Sequence, residues 1–247
     1  MPRRDVQIAA PDGTAGGSLH IPDGDGPWPG VLMIPDAGGL RDTFRDMGDR
    51  LAGLGYVVLV PDIYYRAGDW APFDVNTLFT DPAERARMGH LASALTNDRI
   101  TADAGAYAGF LLARPEVSGP AIGTTGYCLG GRLSLIAAAG LGSTVAAAAS
   151  FHGGRLALPG DPASPHLLAD RLTGMVYVAG AIEDGSFTAE QAELLDRALN
   201  GAGVDHTIEF YPARHGFAVP DNETYDNAAA ERHWAALRHL YQEHLHG

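Results

Sequence analysis

The run Gly126-Tyr127-Cys128-Leu129-Gly130-Gly131 constrains this chain more than any other segment. Glycines on both sides of one reactive residue demand a sharp turn that few architectures contain. Before it, Ala121-Ile122-Gly123-Thr124-Thr125 reads as a short buried strand. After it, the residues from Arg132 through Ala139, rich in Leu, Ile and Ala, read as a helix. A strand that turns into a helix through Gly-x-nucleophile-x-Gly is a nucleophile elbow. The turn forces strained backbone angles, and a side chain beside it would strike the neighbouring strand or helix. The chain's one cysteine stands at the apex. There the free N–H groups and the dipole of the helix favour a thiolate. The Leu129 N–H would face an oxyanion formed as the sulfur attacks a carbonyl. A lone cysteine is otherwise most often an inert, small, buried hydrophobe; the strand-to-helix context favours the nucleophile.

A length of 247 residues, 46% of them hydrophobic, suits a single α/β domain spanning 1–247. No apolar run reaches the length of a membrane span. Met1-Pro2-Arg3-Arg4-Asp5 has no apolar stretch behind it, so a secretory signal is not expected. One cysteine cannot form an internal disulfide, which points to the reducing cytoplasm. Seventeen basic against thirty acidic residues give a net charge of −13, which disfavours nucleic-acid and anionic-membrane partners. The expectation is a monomer or small homo-oligomer acting on a small molecule.

Val6–Ala9 and Ser18–Ile21 read as two strands around Pro11-Asp12-Gly13. Val31–Ile34 is a buried strand ending at Pro35-Asp36-Ala37-Gly38-Gly39. A helix over Asp42–Leu54 carries Phe44, Met47, Leu51 and Leu54 on one stripe, and Gly55 stops it. Tyr56–Val60 has the unbroken apolar pattern of a central parallel strand. Residues 61–96 are irregular and hold Tyr64, Tyr65, Trp70, Phe73 and Phe79, an excursion able to cover a pocket. A helix over Asp98–Ala113 precedes the elbow, and strands over Val145–Phe151, Met175–Gly180 and His206–Tyr211 follow it. Thr188 and Gln191 open a further helix, and a last one presents Trp234, Leu237, Tyr241 and Leu245. This alternation predicts a mostly parallel sheet with helices on both faces.

In such a sheet the loops after the strand ends share one rim, and a catalytic triad runs nucleophile, acid, base along the chain. Asp184 and His215 follow the last two strands and would orient the imidazole and take the thiol proton, respectively. Glu183 competes for the acid but starts one residue earlier, on the opposite side of the strand. His233, His239, His244 and His246 are assigned to a solvated terminal helix, without the spacing of a metal site. His152, beside Gly153-Gly154, either lines the pocket or plays a structural part.

On these residues the chain resembles the dienelactone hydrolase family. The cysteine elbow, an aspartate and a histidine recur in that order, and Tyr56–Tyr64 is similar to the family's strand-and-loop signature. The resemblance runs from about Val31 to the C-terminus. It implies a single-domain cytoplasmic protein of α/β-hydrolase fold that cleaves esters or lactones with no metal or organic cofactor. It assigns nucleophile, acid and base to Cys128, Asp184 and His215, and a second oxyanion N–H to Ala37 beside Leu129. Where the family's best-studied form has a thiol-binding glutamate, this chain has Asp36. A carboxylate there raises a thiol pKa, whereas His215 and the helix terminus lower it. The alternative is a plain turn residue.

Dienelactone hydrolases grip a substrate carboxylate with two arginines. Arg85 or Arg87 matches one, but the other position, four residues after the base, is Val219. That loses a contact of about 1.5–3 kcal/mol, so a more neutral ester or lactone is expected, with Tyr64, Trp70 and Phe217 as pocket walls. Two other readings are promiscuous attack on activated esters such as phosphotriesters, and a non-catalytic scaffold that binds a ligand.

Overall fold

The computed structural model describes residues 3–78 and 80–246. Its centre is an eight-stranded sheet: β1 (Arg3–Ala10), β2 (Gly13–His20), β3 (Trp28–Ile34), β4 (Val57–Pro61), β5 (Val117–Tyr127), β6 (Val145–Phe151), β7 (Met175–Glu183) and β8 (His206–Arg214). The spatial order is β1-β2-β4-β3-β5-β6-β7-β8. The β1–β2 and β2–β4 pairs are antiparallel, and every pair from β4 to β8 is parallel. The chain steps one way from β3 to β4 and the other way from β3's far side through β5 to β8. The order therefore reverses between β3 and β5, where open α/β sheets form their binding crevice.

Residue parity along β3 shows how the sheet is buried on both sides. Leu32 and Ile34 join one core, while Val31 and Met33 join the other, and all four are at most 5% exposed. Helices α3 (Asn97–Leu112), α4 (Leu129–Leu141) and α5 (Ala189–Ala202) cover the first side. Helices α1 (Asp42–Ala52) and α6 (Asn227–His244) cover the second. Each fully buried Val, Leu or Ile contributes about 1.5–3 kcal/mol, so a sheet covered on both faces is stable without a disulfide.

The elements agree with the sequence pattern in kind and order, with β1, β2, β3 and β5 beginning earlier than expected, and four further differences follow. The irregular segment contains a helix, α2 (Pro82–Ser93), started by the Asp81 side chain accepting from Ala83 and Glu84 N–H. None of its residues is fully buried, so it has no apolar stripe from which a pattern could reveal it. Phe79 lies outside the described residues. The stripe of α1 ends at Leu51, and Leu54, beyond the helix, is exposed. The elbow helix begins at Leu129, three residues earlier than its apolar pattern.

The fourth is His233, which is completely buried on α6. Its Nδ1 meets the Ala230 carbonyl and its Nε2 the Tyr127 hydroxyl. Burial holds its pKa down to about 3. His239 and His244 are exposed, and His246 lies past the end of α6. No helix among the described residues is long and apolar enough to cross a membrane.

Gly126 stands one residue before the end of β5, where a β-carbon would lie 1.9 Å from the Gly130 carbonyl oxygen. Gly126→Ala is therefore expected to cost at least about 3 kcal/mol in urea unfolding. Gly109 on α3 has nothing within 4 Å of a built β-carbon. There alanine is expected to stabilise by about 0.5–1 kcal/mol.

Candidate active site

Cys128 stands between β5 and α4 with φ 53 and ψ −117, a strained left-handed conformation, and is half-buried. Its own N–H is shared between the Phe151 carbonyl and the His152 Nδ1, each at 3.1 Å. A β-carbon on Gly130 would lie 2.3 Å from the carbonyl oxygens of both Ile34 and Pro35. The first turn of α4 thus presses on the end of β3, and only glycine permits this approach. The contact brings Leu129 beside Ala37, and both line one crevice with Cys128. Leu129 is the first residue of α4, so its N–H has no partner within the helix. The Tyr64 hydroxyl donates to the Ala37 carbonyl at 2.9 Å and fixes that peptide. Two backbone N–H groups beside one sulfur are a geometry able to hold an oxyanion.

His215 follows β8 and meets Asp184, which follows β7, at 2.6 Å between Nδ1 and Oδ2. The other Asp184 oxygen accepts from the Ser186 N–H at 2.8 Å. The carboxylate is almost enclosed, 4% exposed, whereas Glu183 is exposed. The aspartate, not the glutamate, is therefore the acid that meets the imidazole. Burial opposes ionisation of Asp184, but the His215 bond and charge outweigh it and the carboxyl pKa falls. Burial likewise opposes a charged His215. Cys128, by charge and hydrogen bond, and Asp184 together push its pKa up to about 10. The Thr224 hydroxyl binds the His215 carbonyl and holds the loop.

Asp36 lines a small chamber with Cys128, but its carboxylate is already occupied. Gly38 N–H donates to it at 2.8 Å, and Arg41 grips both its oxygens at 2.7 and 3.0 Å. Arg41 also grips Asp221, at 2.6 and 2.8 Å. One guanidinium thus joins two carboxylates beside the sulfur, and the bonds to both hold its pKa up against burial. Arg41 carried no motif, and only its closeness in sequence to Asp36 could have drawn attention to it.

The crevice beside Cys128 encloses about 370 Å³ with mostly apolar walls, including Met88 and Ala92 from α2. Arg132 and Arg155 flank it, and both bind Asp161. Neither was singled out in the sequence. Arg85 and Arg87, which were, do not line it. Arg85 is exposed, and Arg87 grips Glu84 and lies over the Phe73 ring at 3.7 Å. The α2 side chains that line the crevice are Met88 and Ala92.

Three expected walls sit behind it instead. Tyr64 is buried under the Ala37 loop, Trp70 donates to Asp62 and packs edge-on against Tyr64, and Phe217 is buried against His152. Val219 is fully buried. His152 lines the small chamber rather than the crevice. Among the described residues no cluster of three or more His, Cys, Asp or Glu could hold a metal ion.

Two measurements test this electrostatic arrangement. Cys128 is the leading influence raising His215, so in Cys128→Ala the His215 imidazole should titrate at least about one pH unit lower by NMR. A raised histidine pKa stabilises the fold fully below about pH 6.5. That contribution should fade as pH climbs toward 10. Removing the shared cation by Arg41→Met strands two carboxylates and should cost about 3 kcal/mol near pH 7. Asp221 has a lowered pKa, so its favourable contribution is present at neutral pH and lost in acid. The difference between variant and wild type should therefore narrow below about pH 4.

The dienelactone hydrolase family model matches residues 16–245. A Synechocystis protein provisionally named carboxymethylenebutenolidase is 30% identical over 99% of this chain and 95% of its own length. A dienelactone hydrolase-like promiscuous phosphotriesterase from metagenomic libraries is 28% identical, with a TM-score of 0.79 over 100% of this chain and 99% of that one. A Klebsiella pneumoniae structure provisionally described as a dienelactone hydrolase superposes with a TM-score of 0.83 over 98% and 99% of the two chains; at 23% identity it speaks for the fold alone. With the elbow, the reversed strand order and a match over most of its length, this chain belongs to the dienelactone hydrolase family and has the α/β-hydrolase fold.

Proposed function

We propose that this chain hydrolyses carboxylic esters or lactones through a cysteine nucleophile and a thioester intermediate. The observation that carries the reading is the 2.6 Å bond between Asp184 and His215, with the imidazole's pKa displaced upward by Cys128 itself. An imidazole so placed draws the thiol proton and leaves a nucleophilic sulfur at the elbow. The sulfur attacks the substrate carbonyl, and the N–H groups of Leu129 and Ala37 face the oxygen that becomes negative. His215 returns its proton to the departing alkoxide, which leaves an acyl group on the sulfur. A water that gives its proton to His215 then attacks the thioester, and the thiol and a carboxylic acid are released. Asp184 keeps the imidazole oriented through both halves. Each step uses groups of this chain, and a thiol nucleophile suits a reducing compartment such as the cytoplasm.

The substrate favoured by the crevice is an uncharged small-molecule ester or lactone with an apolar acyl or alcohol part. Its walls are mostly apolar, and Arg132 and Arg155 already share Asp161. Activated phosphotriesters form a second class. The likeness to a promiscuous phosphotriesterase over the full length of both chains supports it, because a soft sulfur beside an oxyanion site is suited to a P=O electrophile as well.

A panel of aryl esters, lactones and a phosphotriester, run on wild type and Cys128→Ala, tests both. The variant should stay folded and lose about 10⁴-fold or more in kcat/KM on the carboxylic esters. Undiminished turnover by Cys128→Ala would sink the mechanism. Phosphotriester turnover surviving that substitution would reject only the second class.

A further inference from the structure

The active site buries a second imidazole that the mechanism above does not use. His152 follows β6, is fully enclosed, and has φ 38, a left-handed conformation unfavourable for a residue with a β-carbon. Its Nδ1 accepts the Cys128 N–H at 3.1 Å, so the proton of the neutral ring sits on Nε2. Burial first, then the nearby His215 and His233, keep that ring uncharged. Nε2 is buried, and no described residue pairs with it. A buried N–H without a protein partner calls for a ligand or an ordered water.

The space for such a water adjoins the ring. A small chamber whose lining includes Asp36, Val75, Cys128, His152, His215 and Asn222 offers about 20 Å³, enough for one water. The chamber and the larger crevice share Ala37, Cys128 and His215. The two spaces therefore meet at the sulfur and the imidazole. The His152 ring lies edge-on to that of His215, with centroids 5.2 Å apart.

We propose that His152 is the residue that positions the hydrolytic water, its Nε2–H holding that water in the chamber while the acyl group occupies the crevice. This rests on the thioester reading. The water accepts from His152, donates one hydrogen to His215 and the other to Asp36. Asp36 accepts three bonds already and has acceptor capacity left. One lone pair then remains for the acyl carbon. In the step itself a water O–H bond breaks, its proton passes to His215 and a C–O bond forms. Collapse then breaks the C–S bond, and the sulfur recovers the proton from His215, so thioester and water become carboxylic acid and thiol.

Pre-steady-state kinetics with p-nitrophenyl butyrate separate the two halves of turnover. His152→Phe keeps the ring's bulk and removes the donor. Val75 lines the same chamber, and Val75→Phe fills it while leaving the His152 side chain unaltered. In both, the nitrophenol burst should persist near one equivalent per active site, while steady-state turnover falls about 10- to 100-fold. An acyl adduct on Cys128 should accumulate in the intact mass, and hydroxylamine, which needs no held water, should restore turnover. If His152→Phe does not fold, Val75→Phe decides alone. Burst and steady state slowing together, or unchanged deacylation in the folded variants, overturns the inference. A wild type that never forms a Cys128 adduct removes the thioester reading first, and this inference with it.

Discussion

The contact between the first turn of α4 and the carbonyls ending β3 is what every other feature of the site must accommodate. At Gly130 a single methyl group would overlap two carbonyl oxygens at 2.3 Å. Without it, α4 approaches until Leu129 and Ala37 line one crevice with Cys128. Because β3 and β5 flank the reversal in strand order, a cleft opens there whatever side chains line it. The strain at Cys128 follows from the same contact, since strand and helix are joined too closely for a relaxed turn. A well-packed α/β core supports that strain: β3, β4 and β6 are almost wholly buried, so the elbow cannot relax without moving packed strands.

Charge is arranged with the same economy. Asp184 is matched by His215, Asp36 and Asp221 by Arg41, and Asp161 by Arg132 and Arg155. Pairing matters because an unpaired ion away from water is costly, whereas exposed pairs contribute little. The Arg41 bridge has a consequence for the sulfur. An ionised Asp36 alone would oppose a thiolate beside it, and a guanidinium binding both its oxygens offsets that repulsion. A carboxylate one methylene shorter than glutamate thus anchors the loop after β3, where it accepts from the Gly38 N–H.

The parts legible in the sequence were those that backbone geometry dictates locally. Glycine spacing at 126–131 announced the elbow, and unbroken apolar runs announced the central strands. Chain order alone was enough to pick Asp184 and His215, because loops at strand ends converge whatever they contain. The parts that stayed hidden depend on distance through space. Helix α2 has no buried stripe, so periodicity had nothing to detect. Arg41 reaches Asp221 far along the chain, and no local pattern couples them. His233 sits on a helix whose face was misjudged. Tyr64, Trp70 and Phe217, expected as pocket walls, lie behind the crevice, because sequence cannot tell a wall from the layer supporting it. Tyr64 acts through its hydroxyl on Ala37, not through its ring on a ligand.

Energetics favour an uncharged substrate over the carboxylated lactones of the family. A bond from an arginine to a carboxylate contributes about 1.5–3 kcal/mol. Apolar burial contributes roughly 25 cal/mol per Å², so about 100 Å² of substrate hydrocarbon does as much. The crevice, about 370 Å³ with mostly apolar walls, can cover such an area. Of its two cations, Arg132 is held by Asp161 and by the carbonyls of Arg155 and Ala163, and Arg155 shares Asp161. An anionic substrate would also approach a chain of net charge −13, whose field slows its arrival at low ionic strength. With Val219 buried where a second arginine would be needed, contact, desolvation and approach all weigh against a carboxylate. The apolar walls weigh the other way, toward the proposed neutral ester, which brings its own hydrocarbon to be buried.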